Sequence, residues 1–460
     1  MVVAVHTFYK KYNTFSNTNF LAVGVSNYIM VRSFSTLVLV SLLILSCTKQ
    51  ESPETTIIEE TPPPNILFVI ADDMGKDATP NYSEGQEKPQ MPTLEMLASS
   101  GITFDNVWAY PVCSPTRASI LTGKLGYHTG VLEVEQDISL SEESLHDFVK
   151  NQSKGAYDTA LIGKWHLSNN LADPNSMGID YFSGILGGGV SSYTDWKEVN
   201  NGVRTNSTTY TTTAFSDAAI DWISSREKPW FLWLAYNAPH TPFHLAPAGL
   251  HKQGSLPSDD ASIAANPLPY YFSAIEALDQ ELGRVIAAIP DGLENTLVIF
   301  IGDNGTPSKV IQTPYRLRRA KGSIHQGGIN VPLIIAGAGV SRKGIREAAL
   351  IQSTDLFTTI AQMAGSEITE KHNSKSFYSM LREANAPKRT YAYAEKSLNG
   401  AVSYAVRNDQ YKLIIEADGT ELLYNLSNDA YENTNLLNNP SEAVESIKNT
   451  LLEEATRVRN

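Results

Sequence analysis

Short apolar runs bounded by turn-forming residues recur along much of the chain. Ile66-Leu67-Phe68-Val69-Ile70 is the first, opened by Asn65 and closed by Ala71-Asp72-Asp73. Others lie at 159–162, 230–235, 296–301 and 332–336. Runs of this length without polar alternation predict strands buried on both faces, as in a parallel sheet. Between them the apolar spacing predicts helices over 93–99, 141–150, 214–226, 272–288 and 354–364. Strands alternating with helices imply an α/β fold, a large and mostly parallel sheet with helices on both faces. After about residue 385 the pattern changes to short strand-like pieces at 391–395, 403–407, 411–416 and 421–426, then a helix over 441–457. That texture predicts a small α+β subdomain of antiparallel strands and a helix over 386–460, behind a main domain over 65–385.

The start of the chain reads differently. Residues 37–45 are an apolar run too short to span a bilayer and of the length of a signal-peptide core. Leu45-Ser46-Cys47 resembles the lipobox of bacterial lipoproteins. The resemblance implies a signal peptide over 1–46, with Met30 the more usual start for such a leader, and a lipid on Cys47 as the sole membrane contact. A cleaved signal without lipid and a membrane anchor are the alternatives. Residues 47–64, polar and proline-rich, read as a tether. The expected location is outside the cytoplasm, lipid-anchored in the cell envelope at the periplasm or outer-membrane surface.

Composition narrows the partners. A net charge of −13 argues against nucleic acid, because phosphate binding needs a basic surface. An anionic substrate must then be held by a few local Lys and Arg residues. With 460 residues, 42% of them hydrophobic, the chain can bury a large core. Its only two cysteines, Cys47 and Cys113, each have a separate reading, so no disulfide is expected.

Candidate chemistry sits at the predicted strand ends, where open α/β sheets bind ligands. Asp72 and Asp73 close the first strand, Lys164 and His166 the second, His240 follows the third, and Asp303-Asn304 closes the fourth, with Lys321 soon after. Two carboxylates at one strand end and Asp-Asn at another offer oxygen donors, which suit Ca²⁺ or Mg²⁺. No cysteine–histidine cluster stands at the spacing of a structural zinc site. In Cys113-Ser114-Pro115-Thr116-Arg117, continuing to Leu121-Thr122-Gly123, the proline and glycine mark a short helix with Cys113 at its N-terminus. Unpaired N–H groups there favour an anion, and Arg117 adds fixed positive charge. By itself the stretch reads as a nucleophile facing an oxyanion-bearing substrate.

Cys-x-Pro-x-Arg followed by Leu-Thr-Gly resembles the sulfatase signature, with Thr116 where serine is usual. The resemblance extends over about residues 65–436, down to Tyr411-Lys412-Leu413, Tyr424-Asn425-Leu426 and Glu432. It implies an alkaline-phosphatase-like fold and a sulfuric ester hydrolase. Cys113 would be converted to Cα-formylglycine by a formylglycine-generating enzyme. Calcium, in preference to Mg²⁺, would be bound by Asp72, Asp73, Asp303, Asn304 and residue 113. Arg117, Lys164, His166, His240 and Lys321 match the remaining active-site positions. The implied mechanism is in-line attack on sulfur by the hydrated aldehyde. Lys164 and Lys321 would neutralise sulfonyl charge, His240 would protonate the leaving alcohol and His166 would drive release of sulfate. A sulfated saccharide is the implied substrate. The rivals are a phosphonate or phosphate ester hydrolase of the same superfamily and an inactive lipoprotein that binds sulfated glycans. Gln326 and Asn330 stand where the family commonly has Glu and Arg, which suggests a former ion pair replaced by neutral groups. His128, Trp165, Tyr193 and Trp196 have structural and substrate-facing readings, and 184–193 and 242–270 are expected pocket loops.

Overall fold

The computed structural model describes residues 63–460. The leader, Cys47 and nearly all of the tether lie outside the described residues. The core is a ten-stranded sheet of β1 (Asn65–Ala71), β2 (Gly101–Trp108), β3 (Asp158–Lys164), β4 (Tyr181–Ile185), β5 (Trp196–Asn200), β6 (Val203–Ser207), β7 (Trp230–Tyr236), β8 (Thr296–Gly302), β9 (Leu333–Gly337) and β10 (Ile345–Gln352). The spatial order is β10-β2-β9-β8-β1-β7-β3-β4-β5-β6. The centre, β8-β1-β7-β3-β4, is parallel, while β9 and the β5–β6 hairpin run antiparallel. β1, β7 and β8 are apolar beyond Asn65 and Thr296 at their first positions because helices cover both faces, leaving no face for polar residues.

The predicted strands are all present, and the predicted helices appear within a few residues at Pro92–Ser100, Leu145–Gln152, Thr211–Ser224, Leu268–Ala287 and Asp355–Met363. The unforeseen strands are β2, β4–β6 and β10. β5 and β6 form a polar, largely exposed edge hairpin, and a register shift breaks β10 between Glu347 and Leu350. Neither leaves the continuous apolar run of an interior strand.

A two-residue hairpin (β11 Glu370–Lys371, β12 Ser374–Lys375) precedes the C-terminal sheet. That sheet is an antiparallel meander of β13 (Ala392–Leu398), β14 (Ala401–Arg407), β15 (Tyr411–Ile415) and β16 (Glu421–Asn425), followed by a helix over Glu442–Arg459. One of its faces shares a core with Trp108, Ile329 and Leu350. A buried ion pair, Lys412 Nζ to Glu432 Oε1 at 2.6 Å, adds a polar tie: Lys412 also donates to Ile324 O and Glu432 accepts from Gln326 N. Gln326 and Asn330 do not pair with each other. Gln326 Oε1 accepts from Trp108 Nε1 and Asn330 Oδ1 from Val107 N, so both brace β2 and their role is structural. Among the described residues no helix is long and apolar enough to cross a membrane.

His146 gives the fold an acid-sensitive point. It is fully buried, stacked on Trp233, with Nε2 on Ala160 O, and burial lowers its pKa from 6.5 to about 3. The unfolded chain therefore binds a proton below pH 6.5 that the folded chain refuses. Stability is retained above pH 6.5 and lost toward pH 3, at up to about 1.4 kcal/mol per pH unit from this group. His146→Phe is expected to flatten the pH dependence of the urea midpoint between pH 6 and 4.

Candidate active site

Because β1, β3, β7 and β8 are parallel, their carboxyl ends share one edge, and the chain leaves β1 between neighbours on opposite sides. The registers Ala71↔Gly302 and Ala71↔Tyr236 place the next residues of the three strands side by side. Asp72 N donates to Ala238 O, Asp303 N to Ala71 O, and Asp73 N to Asp303 Oδ1 at 3.0 Å. Asp73 has a left-handed backbone, φ 70°, and Tyr271 Oη fixes its carbonyl.

The helix Cys113–Thr122 starts at the cysteine and ends at Gly123, φ 67°, whose N–H reaches Ser119 O. Thr116 Oγ1 accepts from Tyr110 N, so the residue that departs from the signature anchors the approach to the helix. Cys113 Sγ lies 3.2 Å from Asp72 Oδ1 and 3.9 Å from Asp73 Oδ1. Donor atoms of Asp72, Asp73, Cys113 and His240 all fall within 4.8 Å of one another. Asp303 joins through Asp73 N, and Asn304 through Nδ2 on Asp73 Oδ1 at 2.9 Å. Asn304 Oδ1 is buried without a partner. Close-set carboxylates with a buried, unpartnered amide oxygen beside them are oxygen donors that fit a hard divalent ion. The structure thus brings Cys113 and His240 beside the carboxylates, with His240 among the potential donors as well.

Cations surround the acids. Lys164 Nζ is 2.5 Å from Asp72 Oδ2, Lys321 Nζ 2.6 Å from Asp73 Oδ1, and Arg117 Nη2 2.8 Å from Asp303 Oδ2, with Arg117 Nη1 on Lys164 O. Burial opposes the charge on Lys164 and Lys321, but the facing carboxylates and Cys113 outweigh it and hold both pKa values above the ordinary lysine range. The Cys113 thiol is pushed well up, first by burial and then by Asp303 and Asp72. Burial and the two carboxylates thus outweigh the helix N-terminus and Arg117, and the unmodified thiol is not an activated nucleophile.

The two histidines differ. His240 Nδ1 donates to Thr241 O, and Nε2 lies 3.7 Å from Asp73 Oδ2. His166, φ 56°, donates Nε2–H to Glu135 Oε1 at 2.9 Å, and its buried Nδ1 has no partner. Burial, with Lys164 and Arg117 nearby, holds His166 neutral by lowering its pKa to about 2.

Glu135 was not singled out by sequence, and Gly187–Gly189 lie in the expected pocket loop 184–193, within which no glycine was assigned a role. A Cβ on Gly188 would sit 2.7 Å from His166 Cε1 and Nε2, and one on Gly189 3.1 Å from His240 Nδ1. Gly188→Ala is expected to lower kcat/KM about ten-fold or more by displacing His166. Gly187→Ala, whose Cβ would meet only Asn169 Oδ1 at 3.8 Å, should change little. Tyr193 Oη donates to His240 O and Asn237 O, and Trp165 and Trp196 are buried, so these aromatics pack and position. His128 bonds Asn373 and lies against Tyr127, beyond the C-terminal end of the Cys113 helix.

A cysteine, paired carboxylates, a histidine and two lysines thus gather at the switch point of a mixed, helix-covered sheet of the alkaline-phosphatase-like class. The chain belongs to the sulfatase family, which it matches over residues 64–366, and residues 320–460 match the C-terminal region described as that of N-sulphoglucosamine sulphohydrolase. It is 28% identical to mouse arylsulfatase J over 340 residues, spanning 67% of this chain and 54% of that protein. It is 26% identical to a Formosa agariphila sulfatase over 518 residues, 90% and 91% of the two chains. A protein solved in complex with its substrate D-glucosamine-2-N,6-O-disulfate shares the fold, with TM-score 0.70 at 20% identity over 87% of this chain and 97% of that one. The chain is a sulfatase, a hydrolase of sulfate esters.

Proposed function

We propose that the chain removes sulfate from a sulfated saccharide, using formylglycine made from Cys113 by a formylglycine-generating enzyme, and calcium bound by Asp72, Asp73, Asp303, Asn304 and residue 113. The observation that carries this reading is the convergence of Cys113 Sγ with Asp72, Asp73 and His240 within 4.8 Å, ringed by Lys164, Lys321 and Arg117. A buried thiol there is a poor nucleophile, and its sulfur marks where the oxygens of the oxidised side chain would lie. The saccharide assignment draws on the solved protein whose substrate is a disulfated glucosamine.

When present, the hydrated aldehyde supplies a hydroxyl nucleophile with its own release step, and the cation supplies positive charge beside the sulfonyl oxygens. Lys164 and Lys321 hold fixed charges where negative charge grows in the transition state. His240, with Nδ1–H spent on Thr241 O, turns Nε2 toward Asp73 and the site, the ring nitrogen through which a proton would pass to the departing alcohol. His166 keeps Nδ1 free to accept a proton, because Nε2–H is bonded to Glu135. Arg117 holds Asp303 in place through their 2.8 Å ion pair. Export, a lipid on Cys47 and a division into a catalytic domain (65–385) and a C-terminal subdomain (386–460) belong to the same proposal, supported by the apolar run 37–45 ahead of Ser46-Cys47 and by the separate C-terminal sheet.

Protein co-produced with a formylglycine-generating enzyme should release sulfate from members of a sulfated mono- and oligosaccharide panel, and cleave aryl sulfates faster than aryl phosphonates. Faster phosphonate cleavage would favour the rival hydrolase, and binding of the saccharides without turnover would favour the inactive lectin.

A further inference from the structure

Glu135 is built into the mouth of the site with unusual care. Its backbone is left-handed, φ 60°, as is that of its partner His166, φ 56°. Non-glycine residues adopt that region at a cost, and they persist there when the surroundings fix them. Three ties hold the segment. Glu133 accepts from Ser397 Oγ and Gly400 N of the β13–β14 hairpin. Gln136 Oε1 accepts from Leu132 N and Glu133 N, closing the turn on itself. Ile138 N donates to Leu167 O, beside His166. The result aims Glu135 Oε1 at His166 Nε2, while the Glu135 side chain stays 58% exposed against 5% for His166. Oε2 makes no protein hydrogen bond among the described residues.

Exposure rises outward from the acids: Asp73 is 2% exposed, His240 20% and Glu135 58%. Gly188 and Gly189 form the floor between the two histidines and bring them close to the same backbone. For a substrate whose sulfate lies among Lys164, Lys321 and the cation donors, the exposed Glu135 carboxylate stands on the solvent side of buried His166, where the rest of the sugar would extend. The cations are concentrated inside, at the scissile group, and the outer position carries a free carboxylate oxygen. Such an oxygen accepts a hydrogen bond from a hydroxyl or ammonium group and repels a second anion, a selection made by repulsion as much as attraction.

Resting on the saccharide reading above, we propose that Glu135 is a specificity determinant: it accepts a hydrogen bond from a neutral or cationic donor of the sulfated sugar and rejects a second sulfate or carboxylate on the adjacent ring carbon. Its bond to His166 makes it a positioning residue as well, so activity alone does not test the point; the ratio between substrates does.

Formylglycine-bearing wild type and Glu135→Gln would be compared on hexose and hexosamine monosulfates spanning the ring positions and on their vicinal disulfates. Gln keeps an oxygen for His166 Nε2–H and removes the charge. Wild type is expected to prefer monosulfates in kcat/KM by about ten-fold or more, and Glu135→Gln to shrink that ratio about ten-fold, mainly through a lower KM for the disulfates. A ratio unchanged within about two-fold, with both proteins active, would overturn the inference and leave the sulfatase reading standing. A folded wild type that releases sulfate from no member of the panel would overturn the saccharide reading and this inference with it.

Discussion

Cys113→Ala is expected to lose sulfate release entirely, a fall of about a thousand-fold or more, while its urea midpoint stays near that of the wild type. The two halves of that expectation have separate causes. The side chain is 1% exposed and sits at the first position of its helix, so removing one sulfur atom leaves a small void and costs about 1 kcal/mol. The helix is held by Thr116 on Tyr110 N and by the Gly123 turn, not by the cysteine. On the proposed mechanism the chemistry has no substitute, because a high-pKa thiol among carboxylates is a poor nucleophile and the reaction would run through its oxidised form. Sulfate release by ion chromatography and urea denaturation of the same preparation check both halves.

Arg117→Ala is expected to damage stability as well as turnover. Its guanidinium is 1% exposed and bonded to Asp303, itself fully buried. Removing one partner of a buried pair leaves the other charge uncompensated, at a cost of about 3–5 kcal/mol. A divalent ion bound among Asp72, Asp73, Asp303 and Asn304 would restore part of that compensation. The loss should therefore be larger in chelator than in millimolar calcium, read as the gap between urea midpoints in the two buffers. Equal losses in both would mean that Asp303 does not face the cation.

The sequence carried the centre of this molecule better than its edges. β1, β3, β7, β8 and β9 announce themselves because burial on both faces leaves uninterrupted apolar runs. β5 and β6 do not, since an exposed edge hairpin tolerates polar residues on either face. The site follows the same rule. Asp72, Asp73, Lys164, His166, His240, Asp303 and Asn304 were legible because strand ends in a parallel sheet converge, and the structure brings them together with Cys113, Arg117 and Lys321. Glu135 was not, because it reaches His166 from a turn with no periodicity, held by a hairpin more than two hundred residues away in the chain. The raised pKa of Cys113 was not legible for a related reason. The helix N-terminus and Arg117 are local in sequence, whereas Asp72 and Asp303, which dominate the thiol together with burial, arrive from distant strands.

The account depends on what residue 113 becomes in the working protein. Mass spectrometry of the peptide spanning Cys113, taken from a preparation of measured sulfatase activity, tests it most directly. Aldehyde at position 113, in a fraction that rises in step with specific activity across preparations, is the result expected. Full activity in a preparation whose residue 113 is entirely unmodified cysteine would contradict it.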